Sequence, residues 1–351
     1  MGSIDVTWWN LENFFDTEDD PISQDLEFTA ANGWTEEAFT AKRANLAQAL
    51  KATHAGAGPD LLVVAEIEKD VLLEQLVAEM GSPLEVVHDP TGTSDLRGID
   101  VAMAFHPDKL ALLSQKSHVV HLRFRTRDLF EVVFKVKDTD EILVVVGSHW
   151  PSRRLGRFDS EPARITVAEN IAFIVEDHVK VLPGDYEQLR AQNDLAQVQA
   201  KFETKVMVLG DFNDEPGDRS VVEHLKASRD LDRVRGETND IDGFKETADY
   251  RAQDVFLFNA SSKFLSQPET GTFFIDSLSS GQKQTNRYQL LDQLVVTRGL
   301  LRGQGLQLDL DSVSIFRDAL VATPSGRPRA FDRKTKKGTS DHLPLTAVLR
   351  F

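Results

Sequence analysis

Residues 206–217 read VMVLGDFNDEPG, a short apolar run, Val206 to Leu209, that stops at Gly210 and then delivers Asp211, Asn213, Asp214 and Glu215 in quick succession. An apolar run ending in a glycine suits a buried strand that enters a tight turn. Side chains at a strand end are held rigidly, as a catalytic site requires. The residue types there are oxygen donors, suited to a hard cation or to orienting a water. A lone GDFN reads more readily as an acidic surface turn closed by Pro216, so the other strand ends of the chain decide the matter.

Several of them carry chemistry too. Ile4–Trp9 alternates as a strand and delivers Asn10, which by itself is as easily a turn residue or a cap. Asp60–Ala65 is a second buried-strand run that ends at Glu66, a better metal-ligand position than a helix face, although solvated glutamates after strands are common. Ile142–Val146 leads to His149 and the arginines Arg153 and Arg154, a set suited to an anionic substrate. Taken alone, His149 reads as a capping or core histidine. Asp292 interrupts the apolar segment Arg287–Val296, and a buried Asp must have a partner, for which a histidine is a good candidate. Near the C-terminus a basic loop, Arg327–Gly338, runs into Thr339-Ser340-Asp341-His342 before a last strand at Leu345–Leu349. That loop is the clearest local electrostatic feature, and a flexible solvated loop is its equal alternative.

The elements that must position these groups interleave along the whole chain. Thr35–Thr53 has helical spacing with Thr35 as cap and Glu36 and Glu37 in the first turn. Val71–Met80, Glu161–Val179 and Ser220–Ala227 also read as helices, and Gly184–Lys205 as a helical insertion. Val119–Phe124 and Phe130–Val136 alternate like paired antiparallel strands, Arg97–Phe105 begins another strand with Asp100 inside it, either edge-exposed or partnered, and Asp230–Gly281 is polar and irregular. No linker or repeat divides the chain, so one α/β domain over residues 1–351 is the simplest expectation.

Bulk composition narrows the function classes. The 351 residues are 41% hydrophobic, enough for a sizeable core, and contain no cysteine, which excludes disulfides, thiolate zinc sites and cysteine nucleophiles. No apolar run approaches the roughly 20 residues that span a bilayer, and no secretory signal pattern opens the sequence, so a cytoplasmic protein without stable membrane insertion is expected. The net charge of −16 is unsuited to gripping long duplex DNA globally and leaves only a local basic groove for it. P-loop, HExxH and GxSxG motifs are absent.

Asn10, Glu66, His149, Gly210-Asp-Phe-Asn213, Asp292 and Ser340-Asp-His342, in this order over residues 5–349, resemble the endonuclease/exonuclease/phosphatase superfamily of DNase I-like nucleases, sphingomyelinases and inositol phosphatases. The NLENFFD and GSHWPSRR segments look most like its nuclease-like bacterial members. The resemblance implies a four-layer α/β sandwich, two mixed β-sheets face to face with helices outside, and Mg²⁺- or Mn²⁺-dependent phosphoester hydrolysis. Carried over, it makes Glu66 the principal metal ligand with Asn10 beside it and Asp341 completing the metal or water shell. Asp211 and Asn213 orient or deprotonate the attacking water, His342 contacts phosphate or acts as base with Asp292 fixing its tautomer, and His149 stabilises developing charge. Arg153, Arg154 and Arg287 are the expected substrate contacts. This chain departs from many relatives in having Ala65, not Gln, before the metal-binding Glu. The stretch Gln289-Leu-Leu-Asp292-Gln also lacks the Pro-Ala-Trp-Cys-Asp-Arg signature, which argues against the inositol phosphatase branch.

Three functions compete. A metal-dependent phosphodiesterase acting on nucleic acid is favoured by the histidine-arginine segment and the basic loop. The acidic surface favours the same chemistry on a small or lipid phosphoester. A silent binding module is disfavoured, because every matched position holds a competent residue.

Overall fold

Alternation within the apolar strands sets the layering. The computed structural model describes all residues except 1, 19–26, 90–94, 96–97, 154–155, 237–242, 277–286 and 303–304. In its central strands both faces are buried, so the sequence there is a continuous apolar run. Leu143, Val145, Met207, Leu209, Leu294 and Val296 join one core, whereas Val144, Val146, Val206, Val208 and Val295, the intervening residues, join another.

The strands are β1 (Ser3–Phe14), β2 (Leu61–Ile67), β3 (Glu85–Val87), β4 (Asp100–Phe105) and β5 (Leu110–His118). They continue with β6 (Leu129–Val136), β7 (Ile142–His149), β8 (Lys205–Asp211), β9 (Ala227–Ser228) and β10 (Leu257–Asn259). The last are β11 (Phe273–Phe274), β12 (Tyr288–Gln289), β13 (Asp292–Val296), β14 (Gln307–Ile315) and β15 (Leu345–Arg350). One sheet has the order β14-β15-β1-β2-β4-β3 and the other β5-β6-β7-β8-β13-β10-β9, with β11-β12 a separate pair. Both large sheets are mixed: β1–β2 and β7–β8 are parallel, their other central pairings antiparallel.

The sheets meet face to face. A Cβ on Gly147 of β7 would lie 2.6 Å from Val101 and about as close to Met103 and Val63 of the opposite sheet, so this position has no room for a side chain. Helices α1 (Glu36–Gly56) and α2 (Asp70–Met80) pack on strands of the first sheet, and their buried residues join the first core. The second core lies under α3 (Glu161–Val179), α4 (Pro183–Gln192) and α5 (Leu195–Phe202). Two short helices, α6 (Leu231–Arg235) and α7 (Thr247–Ala252), complete the set. The fold is the expected sandwich of two mixed sheets and helices.

Most elements fall where the sequence puts them, α3 to the residue and α1 with Thr35 as cap, its hydroxyl accepting from the Ala38 N–H at 3.3 Å. Four differ. The partner of β6 is Leu110–His118, not Val119–Phe124. This edge strand exposes Leu112 to Lys116 and so lacks the alternation of a half-buried strand. Ser220–Ala227 holds only a turn of π-helix at Ser220–His224 before Ala227 enters β9. Arg287–Val296 breaks at Leu290-Leu291 into β12 and β13, which belong to different sheets. The polar stretch after Asp230 contains α6, α7, β10 and β11. Among the described residues no helix is long and apolar enough to cross a membrane.

Candidate active site

Strand register assembles half of the site. His149 at the end of β7 pairs with Asp211 at the end of β8, and Asp211 pairs with Asp292 at the start of β13. Directly opposed residues point to the same face, so three chemically active side chains stand in one row. His149 Nε2 lies 3.5 Å from Asp211 Oδ2, and His342 Nε2 lies 3.7 Å from the same oxygen. His342 Nδ1 donates to Asp292 Oδ2 at 2.6 Å, while Asp292 Oδ1 accepts from the Trp8 indole at 2.7 Å. The buried Asp292 therefore has the histidine partner its burial demands.

The approach to His342 is fixed at every link. Its N–H donates to Ser340 Oγ at 3.0 Å, Ser340 Oγ donates to the Asn10 carbonyl at 2.6 Å, and its own carbonyl accepts from the Trp9 indole at 2.9 Å. The Phe273 ring lies 5.0 Å from the imidazole. Burial works against a charged imidazole, but Asp292 and Asp211 outweigh it and hold the His342 pKa well above the ordinary value. That direction favours the imidazolium form, which donates from both nitrogens. Burial, with the charges of Asp292 and Glu66, lifts Asp211 to about 6 against the opposing pull of His342 and the Asn213 N–H.

The other half is built on irregular backbone. Glu66 sits where the register of β2 shifts against β4, with φ of 60°. Its Oε2 accepts from the Asn13 N–H at 2.8 Å and its Oε1 from Asn10 Nδ2 at 3.3 Å; the same Asn10 amide donates to Asp211 Oδ2 at 3.1 Å. Asn10 Oδ1 is turned to the Glu12 N–H at 3.0 Å. Hydrogen bonds to Glu66 thus come from Asn10 and Asn13, while Ala65 supplies none from a side chain. Asp341 is raised above the usual carboxylate range by burial and by repulsion from Glu66 and Asp211, against the pull of His342 and Lys42.

Asn10, Glu66, His149, Asp211, Asp292 and His342 therefore converge, with Asp341 inside their electrostatic field. Asn213 buttresses this group: its N–H donates to Asp211 Oδ1 at 2.9 Å and its side chain to the Trp150 carbonyl at 3.0 Å. Of the arginines, Arg153 is committed to Asp214 and Asp218 at 2.9 and 2.6 Å, and Arg287 donates to the carbonyls of Ile275 and Asp276. Arg154 lies outside the described residues. The basic loop is also partly engaged, Arg329 with the Ala322 carbonyl, Arg333 with the Glu27 carbonyl and Lys336 with Glu37. Sequence reasoning missed Trp8, Asn13, Glu12 and Lys42. Lys42 had a signal, since it falls in phase with the buried Phe39, Leu46 and Ala49 of α1.

The donor set suits a hard divalent cation: carboxylates from Glu66, Asp211 and Asp341, with no sulfur. Among the described residues, ligand atoms of Asp211, Asp292 and His342 lie within 4.8 Å of one another. Two of these already share a hydrogen bond, and Asp211 is the member also bridged to Glu66 through Asn10.

Comparison with known proteins identifies the family and the fold. Residues 5–259 match the family model described as Endonuclease/Exonuclease/phosphatase family. Among solved structures, an endonuclease/exonuclease/phosphatase from Bacteroides vulgatus is 15% identical with a TM-score of 0.54, each chain covered in full. D. rerio TDP2, solved with single-strand DNA product, is 12% identical at a TM-score of 0.52, again with both chains covered in full. A mannosyl-6-phosphatase from Bacteroides thetaiotaomicron is 13% identical at 0.52, over 99% of this chain and 100% of that one. At such identities these likenesses bear on the fold alone, and no curated protein matches the sequence. With the family model matching 255 consecutive positions and the sandwich and its strand-end cluster in place, the chain belongs to the endonuclease/exonuclease/phosphatase family, whose members are generally phosphoester hydrolases.

Proposed function

We propose that this protein is a divalent-metal-dependent phosphodiesterase that cleaves nucleic acid. The observation that carries the reading is the in-register row of His149, Asp211 and Asp292 with His342 clasped to Asp292. A phosphodiester is anionic and resists attack until its oxygens are neutralised. Mg²⁺ or Mn²⁺ would be held by Glu66 and Asp341, with Asn10 alongside, and would supply that neutralisation and a lowered pKa for bound water. His342, kept cationic by Asp292, donates to a phosphate oxygen. Asp211 orients the attacking water and accepts its proton, with Asn213 fixing the Asp211 carboxylate. His149 faces the same carboxylates and offsets charge that builds on the leaving oxygen.

The wall beside His342 favours a nucleic-acid strand. Phe273 packs on the imidazole, and Arg287 and Arg327 lie over the neighbouring Phe274 ring at 4.6 and 4.2 Å. Guanidinium groups beside aromatic rings suit phosphates and unstacked bases, and the net charge of −16 restricts such binding to this local surface. The acidity also keeps a small phosphoester as the second reading.

The test is turnover of bis(p-nitrophenyl) phosphate, p-nitrophenyl phosphate and labelled single- and double-stranded DNA, each with Mg²⁺, Mn²⁺ or EDTA. Metal-dependent cleavage of diester and single-stranded DNA, falling about 10³-fold in His342→Ala, is expected. Monoester turnover alone would move the assignment to a small-molecule phosphatase.

A further inference from the structure

A fully buried lysine stands behind the metal-binding carboxylates, in a chain whose acids otherwise dominate this region. Lys42, 1% exposed, projects from α1 into an aromatic wall, 6.0 Å from the Trp34 ring centre and 5.4 Å from that of Phe331. Its ammonium donates to the main-chain carbonyl of Glu12 and lies 4.0 Å from the Glu12 carboxylate. Glu12 Oε2 in turn accepts from the Phe331 N–H at 2.8 Å. Burying a charge costs heavily unless it is paired and hydrogen-bonded, and a structural lysine at this point of α1 has an inexpensive apolar alternative.

The backbone that Lys42 grips explains its presence. Glu12 and Asn13 are both left-handed, with φ of 55° and 54°, a conformation that non-glycine residues hold only when their surroundings over-determine it. That pair of residues turns the Asn13 N–H onto Glu66 Oε2 and the Glu12 N–H onto Asn10 Oδ1. From the same face of α1, Asn45 holds the carbonyls of Lys336 and Gly338, just ahead of Asp341. Burial pushes the Lys42 pKa down, and the charges of Glu12, Asp341 and Glu66 oppose that shift.

We infer that Lys42 is a positioning residue for the metal site: by anchoring the Glu12 carbonyl it holds the left-handed Glu12–Asn13 turn that aims Glu66 and Asn10. It touches no substrate. The inference rests on the metal-dependent reading above.

The experiment measures Mn²⁺ affinity by calorimetry, together with the melting temperature and steady-state kinetics, for wild type, Glu12→Gln and the double variant Lys42→Met/Glu12→Gln. Removing both charges avoids leaving either one buried and alone, so the double variant remains folded at the assay temperature. Outer residues that orient ligands are typically worth 10–100-fold in metal affinity. A loss of about tenfold or more is expected in the double variant, with kcat lowered at saturating substrate. Glu12→Gln leaves the ammonium without its carboxylate but keeps the ammonium–carbonyl bond, so, read on protein shown folded by its melting temperature, it should lose less than about threefold, well under that range. Equal affinity in wild type and a folded double variant would overturn the inference alone. An equal loss in both variants would overturn it in favour of the Glu12 charge. No Mn²⁺ binding by wild type would overturn the metal-dependent reading itself.

Discussion

On the histidine side of the cleft, Asp211 is flanked by His149 and Asp292 because three neighbouring strands end in register. On the glutamate side, Glu66 stands at a bulge with φ of 60° and is held by a turn that is itself left-handed at two residues. The first arrangement is a by-product of sheet formation: once β7, β8 and β13 pair, nothing further is needed to bring the groups together. The second runs against backbone preference, each such residue costing on the order of 1–3 kcal/mol, and is held by contacts from α1 and the loop before β15. Catalytic geometry here is thus inherited from register on one side and imposed by packing on the other.

Breaking the histidine side should therefore cost chemistry before stability. Asp292→Asn removes the charge that holds His342 cationic but leaves an oxygen for the Trp8 indole. Turnover should fall about 10²-fold, the range of one acid–base partner. The limb of the pH–rate profile that reports His342 should move to lower pH, because the charge raising that pKa is gone. A profile unmoved in position would show that Asp292 is not what sets the His342 proton.

Gly210 sharpens the contrast at the level of the strands. A Cβ there would lie 2.4 Å from Ser148 Oγ, 2.5 Å from the Ser148 carbonyl and 2.7 Å from the Phe212 ring. Gly210→Ala must push β7 and β8 apart just where they place His149 and Asp211, costing about 1–3 kcal/mol by overpacking. Chemical denaturation should register the loss, and activity should fall further than the lost folded fraction accounts for. If activity follows stability alone, register is looser than the row of side chains implies.

The smallest expected effect lies away from the cleft and separates general acid sensitivity from site chemistry. Glu131 on β6 accepts from His118 at 2.8 Å and from His178 of α3 at 3.1 Å. Burial opposes its ionisation, but these two bonds prevail and bring its pKa down to about 2 from the ordinary 4.5. A depressed carboxyl contributes stability that is present above the unfolded value and lost as pH falls through the folded one. Acid unfolding of wild type should therefore steepen between about 4.5 and 2, and Glu131→Gln should flatten that part of the curve while leaving turnover at neutral pH intact.

The same division explains what could be read in advance. Strand-end residues were legible because apolar runs announce buried strands and polar residues just past them are conspicuous: Asn10 and Glu66 directly follow their runs, and Asp211 and His149 stand two and three residues beyond theirs. Asp292 was legible as a polar intruder in an apolar segment. Arg153 was misleading, since a basic segment after a histidine carries no sign that Asp214 and Asp218, more than 60 residues on, will occupy its guanidinium. Asn13 was invisible for a different reason, because it works through a backbone N–H that every residue but proline possesses. The edge strand β5 failed on exposure: Leu112 to Lys116 all meet water, so both faces are open and the alternation that marks a half-buried strand is missing.

All four tryptophans are 1% exposed or less, and all four stand around this cleft. Trp8 bonds Asp292, Trp9 bonds the His342 carbonyl, the Trp150 carbonyl holds Asn213, and Trp34 faces Lys42. Indole emission responds to nearby charge, and three of the four tryptophans are tied to residues of the candidate site and Trp34 to Lys42 behind it. The protein carries an intrinsic optical probe of its own cleft, one that needs no label and has no tryptophan background from elsewhere in the fold.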